Sequence, residues 1–332
     1  MSNEMHADGS NTTSMVLFRS MPMSWIELGI SYIRKNWDVE NGIATFASTS
    51  ADFSSGARQI APDVFSALLV FDVLPKKLLT AAFDRSLKDF FLRNYHPSGI
   101  NYFFVDRDLI SPSGIAADVD TAAMYLTIML EAGMVERESI RHAVEIIAEN
   151  VDSNGIIQVF LPPRMEREGR IDPAVCANVL GLLYCFGYEG RTQANEDYLF
   201  DIIASRAYLS GSLQYTYPST ILYFITRAIF RFGSNDVRER FLGVLGRGAM
   251  ELLDEDPVTD LDLAMRVIVS KYLGIESSQV TRFERLLLER QMSNGSWRKG
   301  SMYRTVRSQL HFGSESLTTA FALRALTDLS LP

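Results

Sequence analysis

Apolar stretches of about twelve residues, each opened by a residue that favours a helix N-terminus, recur six times along the chain. They carry few charges, so each is expected to form a helix that is buried nearly all round. Asp, Ser, Thr or Pro stands near the start of each stretch, where helices prefer these residues. The stretches are APDVFSALLVFDVL from Ala61, ADVDTAAMYLTIML from Ala117, IDPAVCANVLGLLY from Ile171, TYPSTILYFITRAI from Thr216, VTDLDLAMRVIVSKY from Val258 and GSESLTTAFALRAL from Gly313.

The segments between these stretches have a different pattern. SIRHAVEIIAEN from Ser139 and VTRFERLLLERQ from Val280 place apolar residues at i, i+3 and i+4 with charges between them, which predicts one-sided outer helices. A short glycine loop precedes five of the six inner stretches, and its first three intervals are 57, 56 and 56 residues. The loop glycines are Gly42, Gly99, Gly155, Gly211 and Gly295. The repeating unit is therefore an outer helix, a glycine loop and an inner helix.

Six such hairpins closed into a ring predict an all-α fold, a single (α/α)6 barrel over residues 20–332. Sustained alternation of β-branched residues is absent, so no sheet is expected. The first nineteen residues, which begin MSNEMHADGSNTTS, are expected to be a disordered tail. All inner helices would point the same way, which places their N-termini and the glycine loops on one rim around an apolar hollow. The functional site is predicted at that rim.

Composition narrows the class of protein. The formal charge of −8 argues against a nucleic-acid partner, and 47% apolar residues suffice for a large core. Two cysteines, Cys176 and Cys185, indicate no disulfide framework and fit a cytoplasmic location. The four histidines are far apart in sequence, which predicts no metal site. No apolar run reaches the length of a membrane span, so we expect membrane contact to be peripheral at most.

Candidate chemistry lies at the start of the second inner stretch, in Asp118-Val119-Asp120-Thr121. Asp118 is well placed as the N-cap, which leaves Asp120 in the first turn without a capping role. Capping and dipole complementarity are one interpretation of both acids. The other is that burial raises the pKa of Asp120 and makes it a general acid, with Asn178 on the adjacent inner helix as its partner. A simpler role for Asn178 is a hydrogen bond to a backbone carbonyl in the barrel wall.

Aligning the inner helices on their opening acids gives the side chains expected around the hollow. The alignment sets Phe65, Ala174, Ser219, Asp262 and Leu317 level with Asp120, and Met124, Asn178, Tyr223, Arg266 and Phe321 one turn deeper. The acid is thus expected beside an amide and several aromatic rings in a mostly apolar space.

Three segments resemble a known family. DVDTAAM resembles the Asp-x-Asp-Asp-Thr-Ala motif of class II terpene cyclases, the superfamily of squalene–hopene and diterpene cyclases. QMSNGSW, from Gln291 to Trp297, is similar to the Gln-Trp repeat of that superfamily, and GSESLTTAFALRAL is also typical of it. The resemblance covers roughly residues 20–330, although Thr121 replaces the third Asp and only one glycine loop keeps its Trp. Room for one barrel makes single-domain meroterpenoid cyclases the nearest kind.

The resemblance implies that Asp120 protonates a terminal alkene or epoxide of a polyprenyl chain attached to an aromatic acid. Asp118 would polarise Asp120, and Thr121 would take over part of the role of the missing Asp. Neither metal nor cofactor is implied, and the partner is a small-molecule isoprenoid. Carbocations require dry walls, and aromatic faces stabilise them. The candidate substrate contacts are Phe65, Tyr102, Tyr217, Tyr223 and Phe321.

Two other classes of function remain open at this point. A carbohydrate-active enzyme would use Asp118, Asp120 or Asp262 as paired carboxylates. A non-catalytic α/α toroid would use Asp120 only as a partner of the helix dipole. The metal-binding motif of class I synthases and the zinc ligands of protein prenyltransferases are both missing. Arginines before the third inner stretch could meet a substrate carboxylate or form a solvated charge run; they are Arg164, Arg167 and Arg170. Isoprenoid length, ring number and oligomeric state are not predicted.

Overall fold

The computed structural model describes residues 24–96, 98, 118–161, 170–305 and 308–327. Its α-helices alternate between an outer layer, buried on one side, and an inner layer, buried almost throughout. The outer helices are α1 (Ser24–Lys35), α3 (Ala81–Asn94), α5 (Arg137–Glu149), α7 (Gln193–Ala204), α9 (Asn235–Leu253) and α11 (Ser278–Arg290). The inner helices are α2 (Val64–Val73), α4 (Val119–Glu131), α6 (Pro173–Phe186), α8 (Pro218–Arg227), α10 (Asp260–Tyr272) and α12 (Glu315–Leu326).

The inner helices form a closed ring. Each contacts the next along the chain, from α2 to α4 and onward to α12, and α12 returns to contact α2. Outer helices cover the seams, as α9 does by contacting both α8 and α10. The predicted all-α fold of six helical hairpins is therefore confirmed. The predicted tail, residues 1–19, lies outside the described residues.

The chain turns into the inner helices as the sequence indicated. Asp63, Asp118 and Asp172 are N-caps whose side chains accept backbone N–H groups of α2, α4 and α6. Four of the five loop glycines have positive φ, and these are Gly42, Gly155, Gly211 and Gly295. At Gly295 a Cβ would stand 2.5 Å from the carbonyl oxygen of Leu28, so only glycine fits. Gly99 lies outside the described residues.

The structure contains a small sheet that the sequence did not predict. It has the order β4-β3-β6-β5, with β3 at Thr45–Ser48, β4 at Arg58–Ile60, β5 at Tyr303–Arg304 and β6 at His311–Gly313. All of its pairings are antiparallel, and Ala47 pairs with Phe312. A separate two-stranded pair joins β1 (Trp37–Asp38) to β2 (Gly42–Ile43). Strands of two to four residues are too short for a readable alternation.

This sheet links the first and last repeats at the rim, because β3 and β4 precede α2 whereas β5 and β6 precede α12. Nearby, Trp297 is fully buried and donates from Nε1 to the carbonyl oxygen of Leu287 at 2.7 Å. Gln291 of the same motif donates to the carbonyl oxygens of Trp25 and Gly295. The Gln-Trp segment therefore fastens the last hairpin to the first outer helix.

The opposite end of the inner ring is closed by ion pairs. Asp72 of α2 accepts from Arg227 of α8 at 2.7 and 2.9 Å and from Arg231 at 2.8 Å. Arg231, in the π-helical turn Ala228–Phe232, also pairs with Glu131 of α4. We call Asp72, Glu131, Arg227 and Arg231 the ionic floor. Within the described residues, none of the helices has the length and apolarity that crossing a membrane requires.

Candidate active site

Asp118 and Asp120 have separate environments although they are two residues apart. Asp118 accepts the backbone N–H of Thr121 at 2.6 Å and the hydroxyl of Thr121 at 3.0 Å on its other oxygen. Both of its oxygens are thus held by the first turn of α4. Asp120 has no capping contact, and it is 5% exposed. Its carboxyl is therefore available for contacts inside the barrel.

Two side chains from other parts of the ring hold Asp120. Nδ2 of Asn178 on α6 donates to Oδ1 at 2.7 Å, and the hydroxyl of Tyr215 contacts Oδ2. The contact between Asp120 and Asn178 is the one that the helix alignment predicted. Tyr215, which is 2% exposed, was missed. It lies in the glycine loop before α8. The sequence indicated that this loop is at the rim, and this was the signal that could have pointed to Tyr215. Which aromatic residue of the loop reaches Asp120 is decided only by the folded path of the loop.

Burial dominates the electrostatics of these acids. It raises the pKa of Asp120 to about 7, with a further increase from the neighbouring charge of Asp118, against the opposing hydrogen bonds of Tyr215 and Asn178. Burial likewise raises the pKa of Asp118 to about 6. The pKa values of Asp63 and Asp172 are raised by burial as well. Among the described residues, the groups that most strongly change the pKa of Asp120 include no cationic side chain. The site is therefore suited to a carboxylic acid that keeps its proton up to about pH 7.

The partners of Asp120 determine which oxygen can carry the proton. An amide N–H can only donate, so Oδ1 beside Asn178 acts as an acceptor. A phenol hydroxyl can donate or accept, so Oδ2 beside Tyr215 can hold the proton. When the acid gives up that proton, Tyr215 can donate to the new carboxylate. The arrangement therefore supports both protonation states of one carboxyl group.

Aromatic rings lie close to this carboxyl, and several of them were not singled out in the sequence. Phe65, a predicted substrate contact, meets the ring of Tyr303 at 5.9 Å and that of Phe224 at 6.4 Å between centroids. Phe224 is also 5.3 Å from Tyr215. The wall beside the acid is thus aromatic over several neighbouring rings.

The other predicted contacts have different positions. Tyr223 and Phe321 pack against each other with centroids 5.0 Å apart, and both are buried. Tyr217 donates its hydroxyl to the carbonyl oxygen of Ala51 at 3.0 Å, which ties the rim together. Tyr102, Arg164 and Arg167 lie outside the described residues.

The predicted placement of Asp262 and Arg266 around the hollow was wrong. The two form a buried ion pair at 2.9 Å, and Arg266 also donates to the carbonyl oxygens of Leu252 and Glu255 at the end of α9. The alignment equated Asp262 with Asp120, but Asp120 is the second residue of α4 and Asp262 is the third residue of α10. One position turns a helical side chain by about 100°. Asp262 is therefore not the free carboxylate that the carbohydrate-active alternative requires.

Metal binding has no visible basis here. In the part of the chain that the structure describes, no group of three or more His, Cys, Asp or Glu side chains is arranged to hold a metal ion.

Comparison with known proteins gives the class first. Residues 47–186 match the family described as the sesquiterpene cyclase astC-like C-terminal domain. Solved structures of type II terpene cyclases share the fold over 91–94% of this chain. The family match includes the DVDTAAM segment and agrees with the resemblance to terpene cyclases that this motif indicated.

Two individual proteins stand out. Drimenol cyclase drtB of Aspergillus calidoustus is 25% identical over 225 residues, which are 68% of this chain and 40% of drtB. The chain therefore spans 40% of the length of that relative. Type II terpene cyclase MstE from Scytonema, solved with its substrate geranylgeranyl dihydroxybenzoate, superposes with a TM-score of 0.66 at 14% identity over 94% of this chain and 97% of MstE. The structural likeness shows the fold.

The same fold also occurs in a carbohydrate-active protein. An α-amylase from Clostridium perfringens superposes with a TM-score of 0.53 at 12% identity, over 92% of this chain and 99% of the amylase. The fold alone therefore does not determine which reaction is catalysed, and the function must be argued from the residues at the rim.

Proposed function

We propose that this chain is a class II terpene cyclase in which Asp120 is the general acid. The observation that carries the proposal is the environment of Asp120, a buried carboxyl with a pKa raised to about 7, held by Asn178 and Tyr215 beside a wall of aromatic rings. We infer that its substrate is a small-molecule isoprenoid, a polyprenyl chain attached to an aromatic acid. The family match and the relatives drtB and MstE support the class of reaction.

The reaction begins with transfer of the proton from Oδ2 of Asp120 to the terminal double bond. The electron pair of that bond forms the new C–H bond and leaves a tertiary carbocation. The next double bond attacks this cation and closes a ring, and the positive charge moves along the chain in the same way. Loss of a proton to a base ends the sequence, so product and substrate have the same mass.

Asn178 and Tyr215 stabilise the carboxylate that remains. Each donates one hydrogen bond, and hydrogen bonds to a charged group contribute about 1.5–3 kcal/mol. The charge of Asp118, whose carboxylate is oriented by Thr121, raises the proton affinity of Asp120. Thr121 thereby occupies the position of the third acid in the family motif. Asp118 and Thr121 are positioning residues in this proposal, and Asp120 is the catalytic one.

The aromatic wall protects the cation. Phe65, Phe224 and Tyr223 are buried, and their faces can stabilise a desolvated cation by about 2 kcal/mol. The faces of these rings offer no hydrogen bond to water, which would quench the cation. Tyr223 and Phe321 extend the wall one turn deeper.

Other functions receive less support. A glycosidase needs a pair of carboxyl groups with room for a sugar between them, whereas Asp118 is held by its own helix turn and Asp262 is paired with Arg266. A binding toroid gives no reason for an acid that is neutral near pH 7. We expect no metal requirement, no nucleic-acid partner and a cytoplasmic location with peripheral membrane contact at most.

The test is incubation of the purified protein with geranylgeranylated dihydroxybenzoate in the presence of EDTA. We expect a cyclised product of unchanged mass from the wild-type protein and none from Asp120→Asn. The matched control is Asp201→Asn, since Asp201 is an exposed acid on the outer helix α7. Cyclisation that persists in Asp120→Asn, or release of reducing ends from oligosaccharides by the wild-type protein, would overturn the proposal.

A further inference from the structure

Two phenylalanines meet across the axis of the barrel. In the ring of inner helices α2 and α8 are three places apart, so they stand opposite each other. Phe65 of α2 and Phe224 of α8 nevertheless approach to 6.4 Å between ring centroids. Both side chains are buried, at 2% and 0% exposure. The contact therefore closes the inner ring from one side to the other at this level.

On the side of α2 this aromatic contact lies at the height of the acid, whereas Phe224 is the seventh residue of α8 and its ring is reached from the next turn of that helix. Phe65 is the second residue of α2 and Asp120 is the second residue of α4, so the two side chains leave their helices at equivalent levels. Phe224 packs against Tyr215 at 5.3 Å, and the hydroxyl of Tyr215 contacts Asp120. A double bond that is protonated by Asp120 must therefore rest on, or immediately beside, these two rings.

The ring is filled beside the pair and closed beyond it. Tyr223 lies next to Phe224, with ring centroids 5.3 Å apart, and it contacts Phe321 at 5.0 Å. The ionic floor then links α2 to α8 a second time, through Asp72 and Arg227 at 2.7 Å. A hydrophobic chain that enters from the rim meets the pair as the end of its path.

We propose that Phe65 and Phe224 form an end wall that sets the register of the polyprenyl chain against Asp120. The inference rests on the proposed function and adds a positional rule to it. With its last isoprene unit against the wall, the substrate presents its terminal double bond to Oδ2. Replacing one of these rings by alanine frees space in front of the ionic floor, so the chain advances by one isoprene unit into that space and an internal double bond receives the proton. The cation then forms one unit later, so one ring fewer closes and the last isoprene unit remains as an uncyclised tail.

The experiment compares the products of Phe224→Ala and Phe65→Ala with those of Phe71→Ala. Phe71 is a control on the same helix as Phe65, and it is equally buried, but its ring packs outward against Phe91 of α3 at 5.3 Å. All three substitutions remove the same side chain from the core. Phe224→Leu and Phe65→Leu accompany them, because they keep most of the buried volume and protect the comparison against a failure to fold.

We expect the ratio of products with one ring fewer to fully cyclised products to rise by about tenfold or more in Phe224→Ala and Phe65→Ala. The leucine variants should shift the ratio in the same direction by less, and Phe71→Ala should keep the wild-type ratio. An unchanged ratio in a folded Phe224 variant, or an equal shift in Phe71→Ala, would overturn the end wall while the proposed function stands. A wild-type protein that cyclises nothing would overturn the proposed function and the inference with it.

Discussion

Asp120 and Asp72 occupy opposite ends of the same ring of helices, and both are buried. Asp120 at the rim is held by an amide and a phenol, and burial raises its pKa to about 7. Asp72 in the floor experiences the same effect of burial, but the guanidinium groups of Arg227 and Arg231 outweigh it and hold its pKa well below the usual range. Of two equally buried acids, Asp72 is therefore ionised throughout the neutral range, whereas Asp120 keeps its proton up to about pH 7.

The difference shows that partners decide what a buried acid is for. A carboxylate that is paired with two arginines cannot act as a proton donor. Removing the carboxylate or the arginines leaves an uncompensated charge in the core. An acid whose hydrogen-bond partners are neutral can keep its proton without leaving a charge buried in the core. The acid at the rim is therefore suited to proton transfer, and the ion pairs of the floor hold α2, α4 and α8 together.

The largest expected effect is the loss of chemistry at the rim. Asp120→Asn removes the only proton that the mechanism uses, so turnover should fall by about 10²–10⁴-fold or more. Because asparagine is neutral and of the same shape, the free energy of unfolding at pH 7 should not decrease. Product formation and urea denaturation measured on the same preparation check both statements. A loss of activity that is matched by a loss of stability would contradict the separation of the two ends.

The converse change in the floor should cost stability. Asp72→Asn leaves Arg227 buried without an anion, which should lower the free energy of unfolding by about 3–5 kcal/mol. Urea denaturation of Asp72→Asn and of the exposed control Asp201→Asn measures this cost. The folded fraction should keep the wild-type product. A cost equal to that of the control would show that the floor is not an ion-paired structure.

The two ends should also respond to pH in opposite ways. The folded pKa of Asp120, about 7, exceeds the unfolded value of about 3.9, so its contribution to stability is complete below about pH 4 and is lost as pH rises through 7. The folded pKa of Asp72 is depressed, so its contribution is present above about pH 4 and is lost as pH falls. The free energy of unfolding of Asp120→Asn should lack this loss between about pH 4 and pH 7. Activity, which needs the protonated acid in the folded protein, should decline as pH rises through about 7.

The smallest expected effect comes from the phenol beside Asp120. Tyr215→Phe removes a donor to the carboxylate, so turnover should fall by about tenfold. The same loss raises the pKa of Asp120, because the Tyr215 hydrogen bond lowers it. The decline of activity at high pH should therefore move above pH 7. Tyr217→Phe is the control, since that hydroxyl binds the carbonyl oxygen of Ala51. Equal pH profiles for both variants would remove Tyr215 from the acid site.

Local patterns in the sequence were sufficient for the helices and for one acid. Helical periodicity, capping residues and recurring glycine loops depend on neighbours a few positions apart, and they predicted the six hairpins and the free carboxyl of Asp120 beside its N-cap. The same register along adjacent helices also predicted the contact with Asn178. These features are decided by backbone geometry within one repeat or between two successive repeats.

Contacts between distant repeats were decided by the tertiary structure. Tyr215 reaches Asp120 over 95 residues, Asp72 meets Arg227 over 155, and Phe65 meets Phe224 only because the ring closes. The error at Asp262 also needed the tertiary structure, since Asp262 and its neighbour Arg266 on the same helix are directed toward the end of α9, where Arg266 donates to the carbonyl oxygens of Leu252 and Glu255. Sequence alone determined a ring of helices with an acid at its rim. Which side chains oppose one another across that ring follows from how far each helix is rotated and where each loop leads, and these depend on packing of the whole chain.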